Sequence, residues 1–245
     1  MKQSLFTVEH TRQLTADTYE MILSGDTSAI TAPGQFVNLD LPGHFLRRPI
    51  SICNWTGEAL MLLVKVVGQG TRDLLRCVPG EELDGRTGLG NGFDLDIPSG
   101  HPVLAGGGIG IAPLYGLAQR MLERGQVPTV ALGFRTAKDT FYLEEFAKLG
   151  CRLLVATEDG SIGTKGFVTD CVRAVPECDY GLSCGPLPML KAVHSLPQLK
   201  GGQFSFEARM GCGFGACMGC TIPTADGYKR VCKDGPILFK EEIVW

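Results

Sequence analysis

The sequence predicts a β + α/β protein: an N-terminal antiparallel barrel or sandwich, a parallel α/β domain, and a small cysteine-rich C-terminal unit. Three observations carry this. The first hundred residues hold short β-branched or apolar runs separated by turn residues. From about Pro98 the pattern becomes strand–helix alternation, which requires a parallel sheet covered on both faces. The last forty or so residues are too short for a third core and depend on four cysteines. The predicted boundaries are 1–98, 99–204 and 205–245.

In the first part, "QFVNLDLP", "RRPISICNW" and "ALMLLVKVV" read as strands, broken by "TAPG", "TGE" and "PGEELDG". "GTRDLLRCV" interrupts them as a short helix beginning at Thr71. In the second part, "HPVLAGGG" is a buried strand running into glycines. "IAPLYGLAQRMLERG" has helical periodicity, with Leu114, Leu117 and Leu122 on one face and Gly125 closing it. "PTVALGFR" and "CRLLVATED" are the next strands, with a helix in "FYLEEFAKLG" between them. A helix near "GFVTDCVRAV", the strand "DYGLSCGP" and the helix "LPMLKAVHSL" complete the alternation.

Composition narrows the function. Apolar residues make up 44% and charged residues 20% of the 245, as in an ordinary globular protein long enough for two domains. A formal charge of −3 and no basic run argue against nucleic acid or an anionic membrane as partner. "MKQSLFTVEHTRQ" lacks a signal-peptide stretch, and "VLAGGGIGIAPLYGLA" is too short and glycine-rich to span a membrane. The expectation is a cytoplasmic protein whose ten cysteines are free thiols or metal ligands.

The strongest signal is C-x4-C-x2-C-x11-C, formed by Cys212, Cys217, Cys220 and Cys232. Its first two gaps match the plant-type [2Fe–2S] pattern. Four thiolates and bridging sulfides form an anionic centre that needs inward-facing N–H donors. Positive φ and close backbone approach then favour glycine at Gly211, Gly213, Gly215 and Gly219. Structural zinc usually takes two C-x2–4-C knuckles, which Cys212 and Cys232 do not supply. A redox C-x-x-C at Cys217–Cys220 would lack its usual strand and helix, and ordinary buried thiols are the plainest alternative.

Two glycine turns suggest a nucleotide. "LAGGGIGIAP" joins a strand to a helix start, so Gly106, Gly107, Gly108, Gly110 and Pro113 are candidates for a nicotinamide dinucleotide site. It departs from G-x-G-x-x-G, and a turn that merely packs helix on strand is the alternative. Cys184, Gly185 and Pro186 end another strand at the carboxyl edge, with Cys184 a candidate neighbour of the nicotinamide or simply a buried thiol. Arg48 can meet a phosphate and Ser51 a ring, while Lys65 and the Gly70–Thr71 turn offer a second phosphate contact; a solvated arginine pair is the alternative. Arg135 and Lys138 leave NAD and NADP both open. His10, His44, His101 and His194 are scattered and read as structural, and no G-x-S-x-G elbow suggests hydrolysis.

In order, "RPIS", "GT", "GLGNGF", "AGGGIGIAP", "CGPLPML" and "CGFGACMGC…VCKDGP" resemble one family over nearly the whole chain. It is the iron–sulfur electron-transfer subunit of NAD-dependent dihydroorotate dehydrogenase, a branch of the ferredoxin reductase superfamily. The resemblance implies a Greek-key FAD barrel, a nicotinamide-binding α/β domain and a [2Fe–2S] domain. It implies FAD contacts at Arg48, Pro49, Ile50, Ser51, Leu63, Val64, Lys65, Gly70 and Thr71, and cluster ligation by Cys212, Cys217, Cys220 and Cys232. Ile50 stands where the superfamily usually has an aromatic residue, and "TGLG" replaces the commoner Gly-Pro-Leu-Gly. An FMN-containing catalytic subunit, in a complex of two plus two, would oxidise dihydroorotate and pass electrons through the cluster and FAD to NAD⁺. No catalytic acid or base is therefore expected on this chain. A reductase subunit of a transhydrogenase or oxygenase would use the same cofactors, and a zinc-stabilised binding module is the rival from another class.

Overall fold

The computed structural model describes residues 1–245. Six strands close an antiparallel barrel: β1 (Lys2–Gln13), β2 (Thr18–Gly25), β3 (Phe36–Leu39), β4 (Arg48–Thr56), β5 (Ala59–Lys65) and β6 (Glu82–Leu89). Their order around the barrel is β1-β2-β5-β4-β3-β6, so closure removes every free edge. Phe6, Met21, Leu23, Leu39, Ile52, Leu60 and Leu62 fill the interior. A short helix, α1 (Gln69–Leu74), links β5 to β6 and drives Leu74 into the same core. It starts two residues before Thr71, whose hydroxyl accepts from the N–H groups of Val67 and Gly68 at 3.0 and 3.3 Å.

The second layer follows the strand–helix grammar. In sequence come β7 (Pro102–Gly107), α2 (Ile111–Glu123), β8 (Thr129–Phe134), α3 (Leu143–Lys148), β9 (Arg152–Thr157), β10 (Thr164–Lys165), α4 (Val168–Arg173), β11 (Tyr180–Cys184), α5 (Leu187–His194) and β12 (Gly201–Ser205). After the cysteine loop come the hairpin β13 (Thr221–Thr224) and β14 (Gly227–Arg230), then β15 (Ile237–Phe239). The large sheet runs β10-β9-β8-β7-β11-β12-β15 and is parallel except for β15, which pairs antiparallel with β12. The chain winds outward from β7 through β10, then returns to the other side of β7 as β11. That reversal opens a crevice at the carboxyl ends of β7 and β11, where α/β sheets bind ligands. No helix is long and apolar enough to cross a membrane.

The helix expected across "FYLEEFAKLG" is confined to α3 because Tyr142 sits at φ +62° and turns the chain before Leu143. Its hydroxyl donates to Glu20 Oε2 at 2.6 Å, and Glu20 also receives Arg12 at 3.0 and 3.1 Å. This buried link ties the nucleotide layer to the barrel. A second tie comes from α2, which packs on β4 so closely that a Cβ on Gly116 would lie 2.5 Å from the Cys53 carbonyl oxygen. One turn later Arg120 donates to the Trp55 carbonyl at 3.0 Å and lies 4.6 Å from the centre of its ring.

Candidate functional site

Two cavities, each about 500 Å³, flank the junction between barrel and sheet. Both are within the range of small-molecule sites. Lys65 and Ile109 line both, so the cavities meet there. Lys65 is held at that corner by Asp17, 3.3 Å away.

The first cavity lies over the crevice. Gly107, Gly108 and Pro186 form its floor, and Arg135, Asp139, Phe141 and Glu158 rise from the ends of β8 and β9 and the turn before α3. Gly106, Gly110, Pro113, Cys184 and Gly185 are not on its wall. Gly106, Gly110, Cys184 and Gly185 make the close packing behind it: a Cβ on Gly110 would lie 2.5 Å from the backbone of Cys184. Cys184 is 1% exposed, and burial pushes its thiol up to about 12, so it stays neutral. Lys138 is likewise off the wall, whereas Arg135 is on it.

The second cavity is bounded by Pro49, Ile50 and Ser51 of β4, by Leu63, Val64 and Lys65 of β5, and by Thr71. Arg48 and Gly70 are not on the wall but meet each other at its edge: a Cβ on Gly70 would fall 1.8 Å from Arg48 Nε. The two arginines of "RRP" part company here. Arg47 is neutralised by Asp84 at 2.8 Å, with Asp40 at 3.8 Å, but Arg48 has no carboxylate partner. An arginine beside a cavity with no counter-charge fits a phosphate. The apolar strand walls fit a flavin ring, with Ile50 offering it an aliphatic surface.

The opposite wall was not legible in the sequence. Phe36, Ala112, Pro236 and the run Ser205–Met210 reach it from distant parts of the chain. No local pattern marks them, because tertiary folding alone brings them together. The same holds for Asp17, Thr18 and Phe167–Thr169 in the first cavity.

The four cysteines fall into two pairs. Cys212 contacts Cys217, and Cys220 contacts Cys232. No group of three or more His, Cys, Asp or Glu side chains converges on a single metal position. Two dithiol pairs fit a binuclear cluster, one pair per iron, better than tetrahedral zinc, which needs four donors around one point. Cys220 and Cys232 are buried, while Cys212 is half-buried and Cys217 exposed. N–H groups point at sulfur as the cluster hypothesis requires: Ala216 and Cys217 to Cys212 at 3.2 and 3.4 Å, and Cys232 to Cys220 at 3.4 Å. Burial opposes charge on Cys212, yet donors from Cys217, Phe214 and Ala216 prevail and bring it down to about 6. Burial and the neighbouring Cys220 push Cys232 up to about 12.

The loop glycines divide differently from expectation. Gly213 and Gly215 take φ +76° and +93°, but Gly211 and Gly219 do not; the remaining left-handed turn falls on Met218 at φ +61°. At Gly211 a Cβ would lie 3.2 Å from Cys217 Sγ, tighter than an ordinary contact, whereas at Gly219 it would lie 3.5 Å away, which a side chain could accept. Asn38 of the barrel donates to the Cys212 carbonyl at 3.2 Å, and Arg230 holds the Gly215 carbonyl at 3.0 Å.

A closed antiparallel barrel beside a nucleotide-type sheet, with a four-cysteine loop against both, defines a ferredoxin-reductase-type oxidoreductase that carries its own iron–sulfur unit. Residues 207–244 match the iron–sulfur cluster binding domain of dihydroorotate dehydrogenase B, and residues 104–195 match the oxidoreductase NAD-binding domain. The chain is 42% identical to the dihydroorotate dehydrogenase B (NAD(+)) electron transfer subunit of Geobacillus sp. (strain WCH70), over 100% of this chain and 99% of that one. It is 41% identical to the subunit of the same name from Fusobacterium nucleatum, over 99% of each chain. The chain belongs to the family of dihydroorotate dehydrogenase B electron transfer subunits. Among solved structures, one of an NADH-dependent reduced ferredoxin-NADP oxidoreductase, described for flavin-based electron bifurcation, superposes with a TM-score of 0.89 at 29% identity. It spans 98% of this chain and 90% of that one. A ferredoxin NADP⁺ reductase from Neisseria gonorrhoeae with bound FAD and NADP shares the fold, with a TM-score of 0.68 at 15% identity over 79% of this chain and 89% of that one. The matched domains thus call for an iron–sulfur cluster and NAD.

Proposed function

We propose that this chain accepts electrons from an FMN-containing catalytic subunit that oxidises dihydroorotate, and delivers them to NAD⁺. The setting is cytoplasmic pyrimidine biosynthesis, and the assembly is a heterotetramer of two subunits of each kind. One observation carries the reading. The buried cysteines, Cys220 and Cys232, share a hydrophobic core with Phe36 and Phe206, which line the barrel cavity, and that cavity meets the nucleotide cavity at Lys65 and Ile109. Three sites in continuous contact are what a converter between one- and two-electron carriers needs.

When bound, a flavin exchanges hydride with nicotinamide and single electrons with an iron–sulfur centre. The chain's residues supply binding and orientation. Cys212, Cys217, Cys220 and Cys232 hold the cluster within 205–245. Arg48, with Gly70 and Thr71, meets the flavin's phosphates, and Pro49, Ile50, Ser51, Leu63, Val64 and Lys65 hold its ring within 1–98. Within 99–204, Gly107, Gly108 and Pro186 receive the dinucleotide, while Gly106, Gly110, Cys184 and Gly185 pack tightly behind it and Pro113 lies in the first turn of α2. No acid or base on this chain takes part in dihydroorotate oxidation.

The purified chain is expected to contain iron, acid-labile sulfide and flavin, and to oxidise NADH with an artificial acceptor but not to oxidise dihydroorotate. Dihydroorotate turnover by the chain alone overturns the division of labour. The likeness to the NADH-dependent reduced ferredoxin-NADP oxidoreductase favours a second reading, a transhydrogenase subunit. The partner that co-purifies from native cells distinguishes the two.

A further inference from the structure

Three side chains outside any nucleotide motif form a chain that ends on the unpaired arginine of the barrel. Arg48 Nη2 lies 2.7 Å from His44 Nδ1, and His44 Nε2 lies 2.9 Å from Asp73 Oδ2. An arginine can only donate, so Nδ1 must be the acceptor and the ring proton must sit on Nε2, facing the carboxylate. Asp73 is itself fixed through its other oxygen, which accepts from Gln69 at 2.8 Å and Arg76 at 2.9 Å. The hydrogen bond from His44 helps to hold the Asp73 carboxyl below its usual range, in its charged, accepting form. At the near end, Arg48 Nη1 donates to the carbonyls of Leu46 and Arg47, and Gly70 leaves room for the guanidinium to lie against the backbone. Nε–H remains without a protein acceptor.

We infer that His44 and Asp73 are positioning residues for flavin binding: the Asp73–His44 pair aims Arg48 so that its free donor meets a phosphate of the dinucleotide. This rests on the reading of Arg48 as a phosphate ligand and adds two residues to it. A side chain with four rotatable bonds loses much entropy when it is fixed on binding. A histidine braced by a carboxylate removes most of that cost beforehand. The arrangement also accounts for His44, which would otherwise be a scattered surface-loop histidine, and for Asp73 accepting three side-chain hydrogen bonds, from His44, Gln69 and Arg76.

The test measures binding of FAD and of riboflavin, which carries no phosphate, to the full chain stripped of flavin, by quenching of flavin fluorescence. His44→Ala is expected to raise the FAD Kd about tenfold, the order of a charge-assisted contact that has lost its geometry. It should leave riboflavin binding unchanged, and His44→Gln, which keeps an acceptor and a donor side by side, should recover most of the loss. Equal weakening for FAD and riboflavin marks His44 as merely structural and overturns the inference. So does an unchanged FAD affinity in His44→Ala when Arg48→Ala weakens it. If Arg48→Ala itself leaves FAD binding intact, the phosphate reading of Arg48 fails and the inference fails with it. Should His44→Ala not fold, Asp73→Asn, which keeps the side-chain volume, is held to the same comparison.

Discussion

Gly116→Ala sets two magnitudes against each other. Gly116 lies in the middle of α2, where replacing glycine by alanine ordinarily stabilises a helix by about 1 kcal/mol. Here the added Cβ would meet the Cys53 carbonyl oxygen at 2.5 Å, with the Cys53 carbonyl carbon at 3.5 Å and Asn54 Cα at 3.6 Å. A relaxed carbon–oxygen contact is about 3.3 Å, so helix and strand must separate by about 0.8 Å. All three neighbours are backbone atoms of a barrel strand and cannot swing aside as a side chain would. Overpacking costs about 1–3 kcal/mol, and a rigid neighbour puts this case near 3, leaving a net loss of about 2 kcal/mol. In a chain of this size that corresponds to about 4–8 °C in Tm. Thermal unfolding of the holoprotein, followed by circular dichroism, reads the change. Gly100→Ala, where a Cβ meets nothing within 4 Å, is the near-neutral control. A midpoint equal to or above that of the wild type would refute the close seating of α2 on the barrel.

Cys217→Ser removes an exposed sulfur ligand, so the iron and labile-sulfide content should fall by half or more while bound flavin persists; simultaneous loss of flavin, measured in the same sample, counts against a local effect. Tyr142→Phe removes the hydroxyl that donates to Glu20 at 2.6 Å, with an expected loss of about 1.5–3 kcal/mol in urea denaturation at pH 7. Burial pushes the Glu20 carboxyl up, but Arg12 and Tyr142 prevail and hold it below its ordinary value of 4.5. A carboxyl lowered in the folded state contributes stability above its unfolded value and loses it as pH falls through the folded one. The difference between wild type and Tyr142→Phe should therefore be flat from pH 6 to 8 and shrink only as pH falls through the lowered folded-state range of Glu20; a difference that already shrinks between pH 8 and 6 rules out a carboxylate held below its ordinary value.

How much of this was legible in the sequence depends on whether a signal is local. The cysteine spacing, the two glycine turns and the alternation after Pro98 are local, and each turns up where it was expected. β1, β2 and β6 were not marked individually. Only the Pro79–Gly80 end of the expected break "PGEELDG" is a turn, because β6 begins inside it at Glu82 and alternates buried and part-exposed residues through the glycines. β1 buries only Phe6 and Val8, and a shift in its register after Val8 breaks the alternation that betrays a strand. β15 lies beyond the cysteines and joins the large sheet by antiparallel pairing to β12, a partnership that no spacing encodes. The cavity walls are the clearest case of non-local information. Pro49–Ser51 and Leu63–Lys65 read as contacts from motifs, whereas Phe36, Ser205–Met210 and Pro236 complete the same space without a motif.

The asymmetry of the four cysteines bears on the proposed route between an outside partner and the barrel. Had all four been exposed, the cluster would sit on a tether remote from the barrel; had all four been buried, no outside donor could approach. Instead the Cys220–Cys232 half is packed among Phe204, Phe206, Val231 and Leu238, while the loop bearing Cys212 and Cys217 faces outward with Phe214 and Met218 exposed beside it. Asn38 and Arg230 fix that loop to the barrel and to the hairpin, so its distance from the cavity wall is set by the fold rather than by a flexible arm. Under the proposed function, electrons passing from an outside donor to the flavin need such a bridge, with one end exposed and the other fixed in the core. This chain builds it from a segment too short to have a core of its own.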